Sequence, residues 1–197
     1  MGILGNLFRC RGAARAVLLL VALAPPVLAD YAAGVAALRA HDYPRAFREL
    51  LPVARAGDPR AQERVAALYR RGYGVDRSYS EAIAWYRRAA AQGSGSAAYS
   101  LGVHYREGLG VPRDAVTASN WFRSAARAGY IPAQINLGLR YAAGRGVGKD
   151  PVRGYAWLHR AAMHGNRLAM RRRTALGKTL SPAQIKEAKA LADTLAK

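Results

Sequence analysis

The chain has 197 residues and a formal net charge of +19, with 31 Lys and Arg residues against 12 Asp and Glu residues. This length is typical of a single domain. The only cysteine is Cys10, so disulfide bonds and thiol chemistry are excluded for the rest of the chain. The positive charge favours acidic partners. A GC-rich genome would also raise the arginine content, so the sequence leaves open whether partner binding or genome composition explains the charge.

Residues 1–29 have the layout of a secretory signal peptide. Three arginines precede an unbroken apolar run at residues 16–24: Arg9, Arg11 and Arg15. Small residues ending at Ala29 follow this run and predict cleavage there. The product would be a periplasmic or secreted protein with a charge of +16, since the signal carries three of the 19 surplus positive charges. The run is shorter than the roughly 20 residues of a membrane span. Retention as an inner-membrane signal anchor is the alternative, and the only route to a membrane.

From Ala61 onward the chain repeats with a period of 36 residues. Tyrosines, tryptophans and Gly-x-Gly-Val loops recur in register: Tyr69, Tyr105 and Tyr141; Trp85, Trp121 and Trp157; residues 72–75, 108–111 and 144–147. A fixed period of this size predicts an all-α solenoid. We predict three units, at 61–96, 97–132 and 133–168. Residues 30–60 would form a degenerate N-terminal helical hairpin, and residues 169–197 would form C-terminal capping helices.

Each predicted unit has two helices separated by its glycine loop. Residues suited to helix N-caps follow each loop: Ser78, Asp114 and Asp150. Ser78 and Glu81 also fit a capping box. The tryptophans precede pairs of small residues, which indicates helix packing rather than a ligand cage. The loops follow helices rather than strands, so we interpret them as turns in which glycine supplies a positive φ, not as phosphate cradles.

The repeated unit resembles the Sel-one-like repeat, a relative of the tetratricopeptide repeat. The third unit carries the pattern in these residues: Ala133, Leu137, Gly138, Tyr141, Gly144, Gly146, Val147, Trp157, Ala161, Ala162 and Gly165. The resemblance implies a right-handed α/α superhelix with a concave groove. It also implies an adaptor or regulator, as in exopolysaccharide export scaffolds, inhibitors of sensor domains and host-binding factors. A disulfide-rich branch is linked to β-lactam chemistry, and the lack of cysteines separates this chain from it.

The sequence shows no catalytic constellation. The four histidines are never three or four residues apart, so no helical metal site is expected: His41, His104, His159 and His164. Acidic residues are sparse. We therefore predict a protein without catalytic activity, cofactor or metal ion.

Binding is expected where the repeats disagree on the first helix of each unit. These positions are Glu63, Arg70, Arg71, Tyr99, Val103, Arg106, Glu107, Ile135, Asn136 and Leu139. Arg70 and Arg106 occupy equivalent positions one repeat apart, so their guanidinium groups could clamp a carboxylate, with Tyr99 between them as an aromatic contact. A solvated arginine face is the competing interpretation.

The resulting hypothesis is a non-enzymatic adaptor that binds a protein or peptide, expected to be acidic, in its groove. An alternative is an acidic envelope polymer or lipid bound by the basic surface that includes Arg171, Arg172 and Arg173. A cell-wall or β-lactam-active enzyme is a third hypothesis. Nucleic-acid binding fits the charge but not the export signal.

Overall fold

The computed structural model describes residues 26–195, with side chains from Tyr31 onward. Within this range the chain forms ten helices and no strands, which confirms the predicted all-α solenoid. The helices are α1 Pro26–Arg39, α2 Tyr43–Arg55, α3 Pro59–Arg71, α4 Tyr79–Ala91, α5 Gly95–Glu107, α6 Ala115–Arg127, α7 Ile131–Ala143, α8 Pro151–Met163, α9 Arg167–Gly177 and α10 Pro182–Thr194. Residues 1–25 of the predicted signal peptide lie outside the described residues.

Helices α1 to α8 form four successive hairpins. We call the first helix of each hairpin its A helix and the second its B helix. The first three B helices each also pack on the A helix of the next hairpin. In addition, α5 packs directly on α7, across the intervening α6. Helices on the inner side of a curved stack lie closer to their next-but-one neighbours, so the A helices line the concave side.

Small residues allow the two helices of a hairpin to approach closely. A Cβ atom on Gly102 would lie 2.6 Å from the Phe122 ring, and one on Gly138 would lie 2.8 Å from Leu158. The recurring tryptophans belong to this packing, as predicted: Trp85 and Trp157 are buried, and Trp121 is half-buried and packs against the core. The indoles are therefore explained by the core and need no ligand.

The glycine loops are tight turns, as predicted. Gly144 ends α7 with a φ of 69°, and Gly146 has a φ of 68°. A Cβ on Gly146 would lie 2.0 Å from the carbonyl oxygen of Ala115 at the start of α6. The second loop glycine thus lets one unit contact the preceding one, because any side chain there would collide with backbone.

The predicted N-caps are present, but the capping box at Ser78 is only half formed. The Ser78 hydroxyl accepts a hydrogen bond from the Glu81 N–H at 3.2 Å. The Ser78 N–H instead donates to the carbonyl oxygen of Tyr69 at 3.0 Å. This N–H is therefore not available to the Glu81 side chain. The backbone N–H groups of Asp114 and Asp150 likewise donate to the carbonyl oxygens of the recurring tyrosines of their own units.

The last two helices depart from the hairpin pattern. Helix α10 packs on α8, where Ala188 and Ala192 are buried against Tyr155. A complete capping box between Ser181 and Gln184 begins α10. Helix α10 thus covers apolar surface of α8.

Candidate binding surface

The exposed face of the A helices forms one stripe along the concave side. In three successive A helices its members are the positions spaced at i, i+4, i+7 and i+11, which share a helix face. They are half-buried or exposed: Arg60, Arg64, Ala67 and Arg71 in α3; Ser96, Ser100, Val103 and Glu107 in α5; Pro132, Asn136, Leu139 and Ala143 in α7. We call these residues the A-helix stripe.

The stripe opens into a cleft of about 500 Å³ at its N-terminal end. The cleft lies between α1, α3 and α5. Its lining residues are Tyr31, Arg60, Glu63, Arg64, Ala67, Tyr86, Ser96 and Ser100. A second cleft of about 460 Å³ shares Arg60, Glu63 and Ser96 with it and extends to the turn before α7, at Tyr130. The two clefts therefore form one continuous depression across three units.

Two charged residues of this depression are already engaged. The Glu63 carboxylate accepts hydrogen bonds from the Ser94 and Ser96 hydroxyls at the N-terminus of α5, where the helix dipole favours a negative charge. Arg60 forms an ion pair with Asp58 at 2.8 Å, and its guanidinium lies 4.6 Å from the centroid of the Tyr31 ring. The hydrogen bond from Arg60 lowers the pKa of Asp58, so this carboxylate is ionised near neutral pH.

Arg64 differs from both. Its side chain is exposed and forms no hydrogen bond or ion pair with any residue between 31 and 195. Ser100, the equivalent residue of α5, lines the same cleft and donates its hydroxyl hydrogen to the carbonyl oxygen of Ser96 at 3.0 Å. Arg64 is therefore a positive group available to a ligand in the cleft.

The structure does not place Tyr99 between Arg70 and Arg106. The Tyr99 ring lies 5.3 Å from those of Phe122 and Tyr130, both in its own unit. Its hydroxyl accepts a hydrogen bond at 3.2 Å from Asn136 of α7 in the following unit. Tyr99 therefore positions α7 against α5.

Arg106 is not a free arm of a clamp either. Its Nε donates to Glu107 at 2.6 Å, and Arg113 approaches the same carboxylate at 3.5 Å. The hydrogen bond from Arg106 lowers the pKa of Glu107, so the pair stays charged near neutral pH. Arg70 is half-buried, and its positive charge contributes to lowering the pKa of His104.

The remaining predicted residues divide by exposure. Ile135 is only 7% exposed and packs with Leu158, so its side chain belongs to the core rather than to the groove. Leu139 is exposed, at 37%. Val103 is half-buried, and Arg71 is exposed, with its guanidinium 5.7 Å from the centroid of the Tyr73 ring.

The basic run after the repeats is split. Arg171 and Arg172 are exposed. Arg173 instead turns inward and donates to Nδ1 of His159 at 3.1 Å. The run therefore presents two free side chains rather than three.

Sequence reasoning missed Arg60, Arg64, Ser96 and Ser100. These residues differ from the equivalent residues of neighbouring units, so they meet the criterion by which candidate binding positions are selected from the sequence. The missing signal is the helix face, because positions spaced from Arg60 at i, i+4, i+7 and i+11 select the stripe. Five predicted residues belong to it: Arg71, Val103, Glu107, Asn136 and Leu139. In contrast, Glu63, Tyr99 and Ile135 turn toward neighbouring helices.

One repeat position holds buried groups of very different character. It is Leu68 in the first unit, His104 in the second and Arg140 in the third, all under 8% exposed. Burial lowers the pKa of both His104 and Arg140. Arg140 donates to the Ser119 hydroxyl at 2.6 Å and to the Ala115 carbonyl at 2.8 Å, both in the preceding unit. We interpret this position as a connection between units.

Among the described residues no cluster of three or more His, Cys, Asp or Glu side chains is placed to hold a metal ion. No helix between residues 26 and 195 is both long and apolar enough to cross a membrane.

Comparison with known families identifies the repeat. The Sel1 repeat model matches residues 59–94, 95–130 and 131–166, which together make up more than half of the chain. The chain belongs to the Sel1 repeat family. The matched units begin at the first residues of α3, α5 and α7, two residues before the boundaries predicted from the recurring alanines. Sel1-repeat proteins generally mediate protein–protein interactions, and their fold is typically a non-enzymatic scaffold.

Two solved structures of Sel1-repeat proteins resemble this one. A Sel1 repeat protein from Oxalobacter formigenes is 32% identical over 71% of this chain, with a TM-score of 0.68. A protective antigen of uropathogenic Escherichia coli strains, which displays the Sel1-like repeat fold, is 26% identical over 86% of this chain, with a TM-score of 0.56. The chain spans 57% and 45% of those two proteins. No protein of curated function matches the chain.

Proposed function

We propose that this Sel1-repeat protein is a non-enzymatic adaptor or regulator of the bacterial cell envelope, and that it binds an acidic segment of a protein partner on the A-helix stripe. The observation that carries this proposal is the cleft between α1, α3 and α5, in which the guanidinium of Arg64 is exposed and has no partner among residues 31–195. A charged group in that position is available for recognition.

The cleft has the chemistry to hold an acidic peptide. Arg64 can form a two-pronged hydrogen bond with a carboxylate, a geometry that gives orientation as well as attraction. Tyr31 and Ala67 provide apolar contact beside it. Farther along the stripe, Val103 and Leu139 offer a mildly apolar track. An extended peptide crossing several A helices would meet the acid-binding end first and the apolar end later.

Capture of a partner from envelope extract tests the proposed surface. The purified protein is immobilised as bait, and the Arg64→Glu variant is compared with Arg48→Glu. Arg48 is an exposed residue of the B helix α2, so the control carries the same change in charge on another face. We expect Arg64→Glu to lose the partner and Arg48→Glu to retain it.

Equal retention by both variants would refute the proposed surface. Loss that is equal in both variants and rises steeply with salt would instead favour an acidic polymer attracted by overall charge.

The envelope location rests on residues 1–29 alone. Expression of the tagged chain, followed by cell fractionation and N-terminal sequencing, tests it. We expect a periplasmic product that begins at Asp30. A product that remains with the inner membrane and retains residues 1–29 would indicate a signal anchor, and a cytoplasmic product would refute export.

A further inference from the structure

A third cleft, of about 380 Å³, lies away from the A-helix stripe and is lined by residues of α6, α7 and α8 and by the C-terminal end of α10 with Leu195. Its lining residues are Arg123, Arg127, Tyr141, Arg153, Trp157, Leu191 and Leu195. Three guanidinium groups therefore meet three apolar side chains and one phenol in a single cleft. Nothing in the proposed adaptor function uses this combination.

The side chain of Tyr141 organises the charged part of the cleft. Arg123 donates to the Tyr141 hydroxyl at 3.4 Å and to Asn120 at 2.9 Å. The guanidinium of Arg153 lies 5.3 Å from the centroid of the Tyr141 ring. Two arginines are thus held on one aromatic side chain, which reduces the conformational entropy lost when they bind a ligand.

Among the residues that the structure describes, the three guanidinium groups of this cleft have few acidic neighbours. Arg153 has a carboxylate neighbour, Asp150, at 3.6 Å. Arg127 is exposed and forms no hydrogen bond or ion pair with residues 31–195. No carboxylate of this part of the chain lines the cleft, whereas Asp150 and Glu187 line the adjoining cleft that shares Arg153 and Leu191. The lining itself therefore has a surplus of positive charge, which favours a dianion over a monoanion.

The preceding junction between units shows which parts are additional. There Arg87 donates to the Tyr105 hydroxyl at 2.8 Å, as Arg123 does to Tyr141. The residues 36 positions before Arg127 and Arg153 are Ala91 and Thr117, which carry no charge. The arginine–tyrosine contact is therefore a feature of the repeat, whereas Arg127 and Arg153 are specific to the last junction.

Helix α10 completes the cleft with an apolar wall. Leu191 and Leu195 are half-buried, and Trp157, which lies below them, is 2% exposed. An anion that bound only by charge would gain nothing from this wall. A ligand with an apolar group next to its charged group would bury that group against the two leucines.

We infer that this cleft binds a phosphate monoester that carries an apolar group. The phosphate dianion matches the surplus charge, and guanidinium groups donate to phosphate oxygens in pairs. The apolar substituent lies along α10. The ligand is either a small soluble ester or the headgroup of phosphatidic acid, because both present the same phosphate monoester chemistry.

Calorimetric titration of the purified protein with phenyl phosphate tests this site. Phenyl sulfate has the same shape with one negative charge, and we expect it to bind more weakly. Arg127→Gln and Arg153→Gln remove the two arginines specific to this junction, and each is expected to weaken binding about ten-fold or more. Arg87→Gln is the matched control at the preceding junction and is expected to leave the affinity unchanged.

Vesicles distinguish the two sources of the phosphate. Retention by phosphatidic acid vesicles, but not by phosphatidylcholine vesicles, that is lost in the Arg127→Gln/Arg153→Gln double variant would identify a lipid headgroup. Binding of phenyl phosphate without vesicle retention would identify a soluble ester. The inference is overturned if neither ligand binds, or if the double variant binds as tightly as Arg87→Gln. Both readouts are independent of the A-helix stripe.

Discussion

Replacement of Gly146 by Ala should separate two energetic costs of the glycine loops. Gly146 has a φ of 68°, and its new Cβ would lie 2.0 Å from the Ala115 carbonyl oxygen and 2.9 Å from the Ser119 hydroxyl. Gly165 has a φ of 75° but nothing within 4 Å of the corresponding Cβ. Gly165→Ala therefore measures the conformational cost alone, whereas Gly146→Ala adds a collision with backbone of the preceding unit.

The left-handed conformation costs an alanine about 1–2 kcal/mol, offset by about 0.4–1 kcal/mol because the unfolded chain loses freedom. Overpacking adds about 1–3 kcal/mol. We expect Gly165→Ala to destabilise the protein by about 0.5–1 kcal/mol and Gly146→Ala by about 2–4 kcal/mol. For a chain of this size the larger loss corresponds to a Tm decrease of about 5–15 °C.

Urea unfolding followed by circular dichroism measures both losses. Hydrogen exchange should also show faster exchange in α7 and α8 of Gly146→Ala, because each unit of a solenoid is stabilised by its neighbours. Gly148→Ala serves as a further control, since Gly148 has open space around its Cβ position and no positive φ. If Gly146→Ala and Gly165→Ala lose equal free energy, the close contact between units is refuted.

Two further changes test buried and capping groups. Burial lowers the pKa of His104 in the folded state, so the unfolded chain takes up a proton first as the pH falls below about 6.5. The free energy of unfolding therefore falls between pH 7 and pH 5. Replacement of His104 by Leu, the residue type at the equivalent position Leu68, should make the fall of the urea midpoint over this pH range smaller. An unchanged fall would exclude His104 as its source. Asp150→Ala removes an acceptor 2.8 Å from the Arg153 N–H and should cost about 1 kcal/mol in urea unfolding. Asp76→Ala, in an exposed loop, should change stability by less than about 0.5 kcal/mol.

The repeat period predicted the local structure well because its causes are local. A helix end needs a cap, and a turn needs a residue that tolerates positive φ, so Asp114 and Gly144 can be interpreted from neighbouring residues alone. Only one of the two hydrogen bonds of the predicted capping box at Ser78 forms, and the reason is non-local. The carbonyl of Tyr69, nine positions earlier, takes the N–H that the box requires.

The candidate surface was predicted less well because repeat disagreement does not distinguish contact between units from contact with solvent. Glu63, Tyr99 and Ile135 occupy one repeat position and all differ. Glu63 is bound by two serines, Tyr99 supports α7, and Ile135 is buried. One residue farther along the same helices, Arg64 and Asn136 belong to the A-helix stripe.

The sequence by itself determined the repeat, the helices, the caps and the packing role of the tryptophans, since each depends on residues within one unit or on a strict period. Only the tertiary structure decided which face of each A helix meets solvent, because that depends on how each helix is rotated against the next unit. It also decided that α10 lies on α8. That contact brings Leu191 and Leu195 next to Arg127 and Arg153, although nearly 40 residues of chain separate the leucines from Arg153.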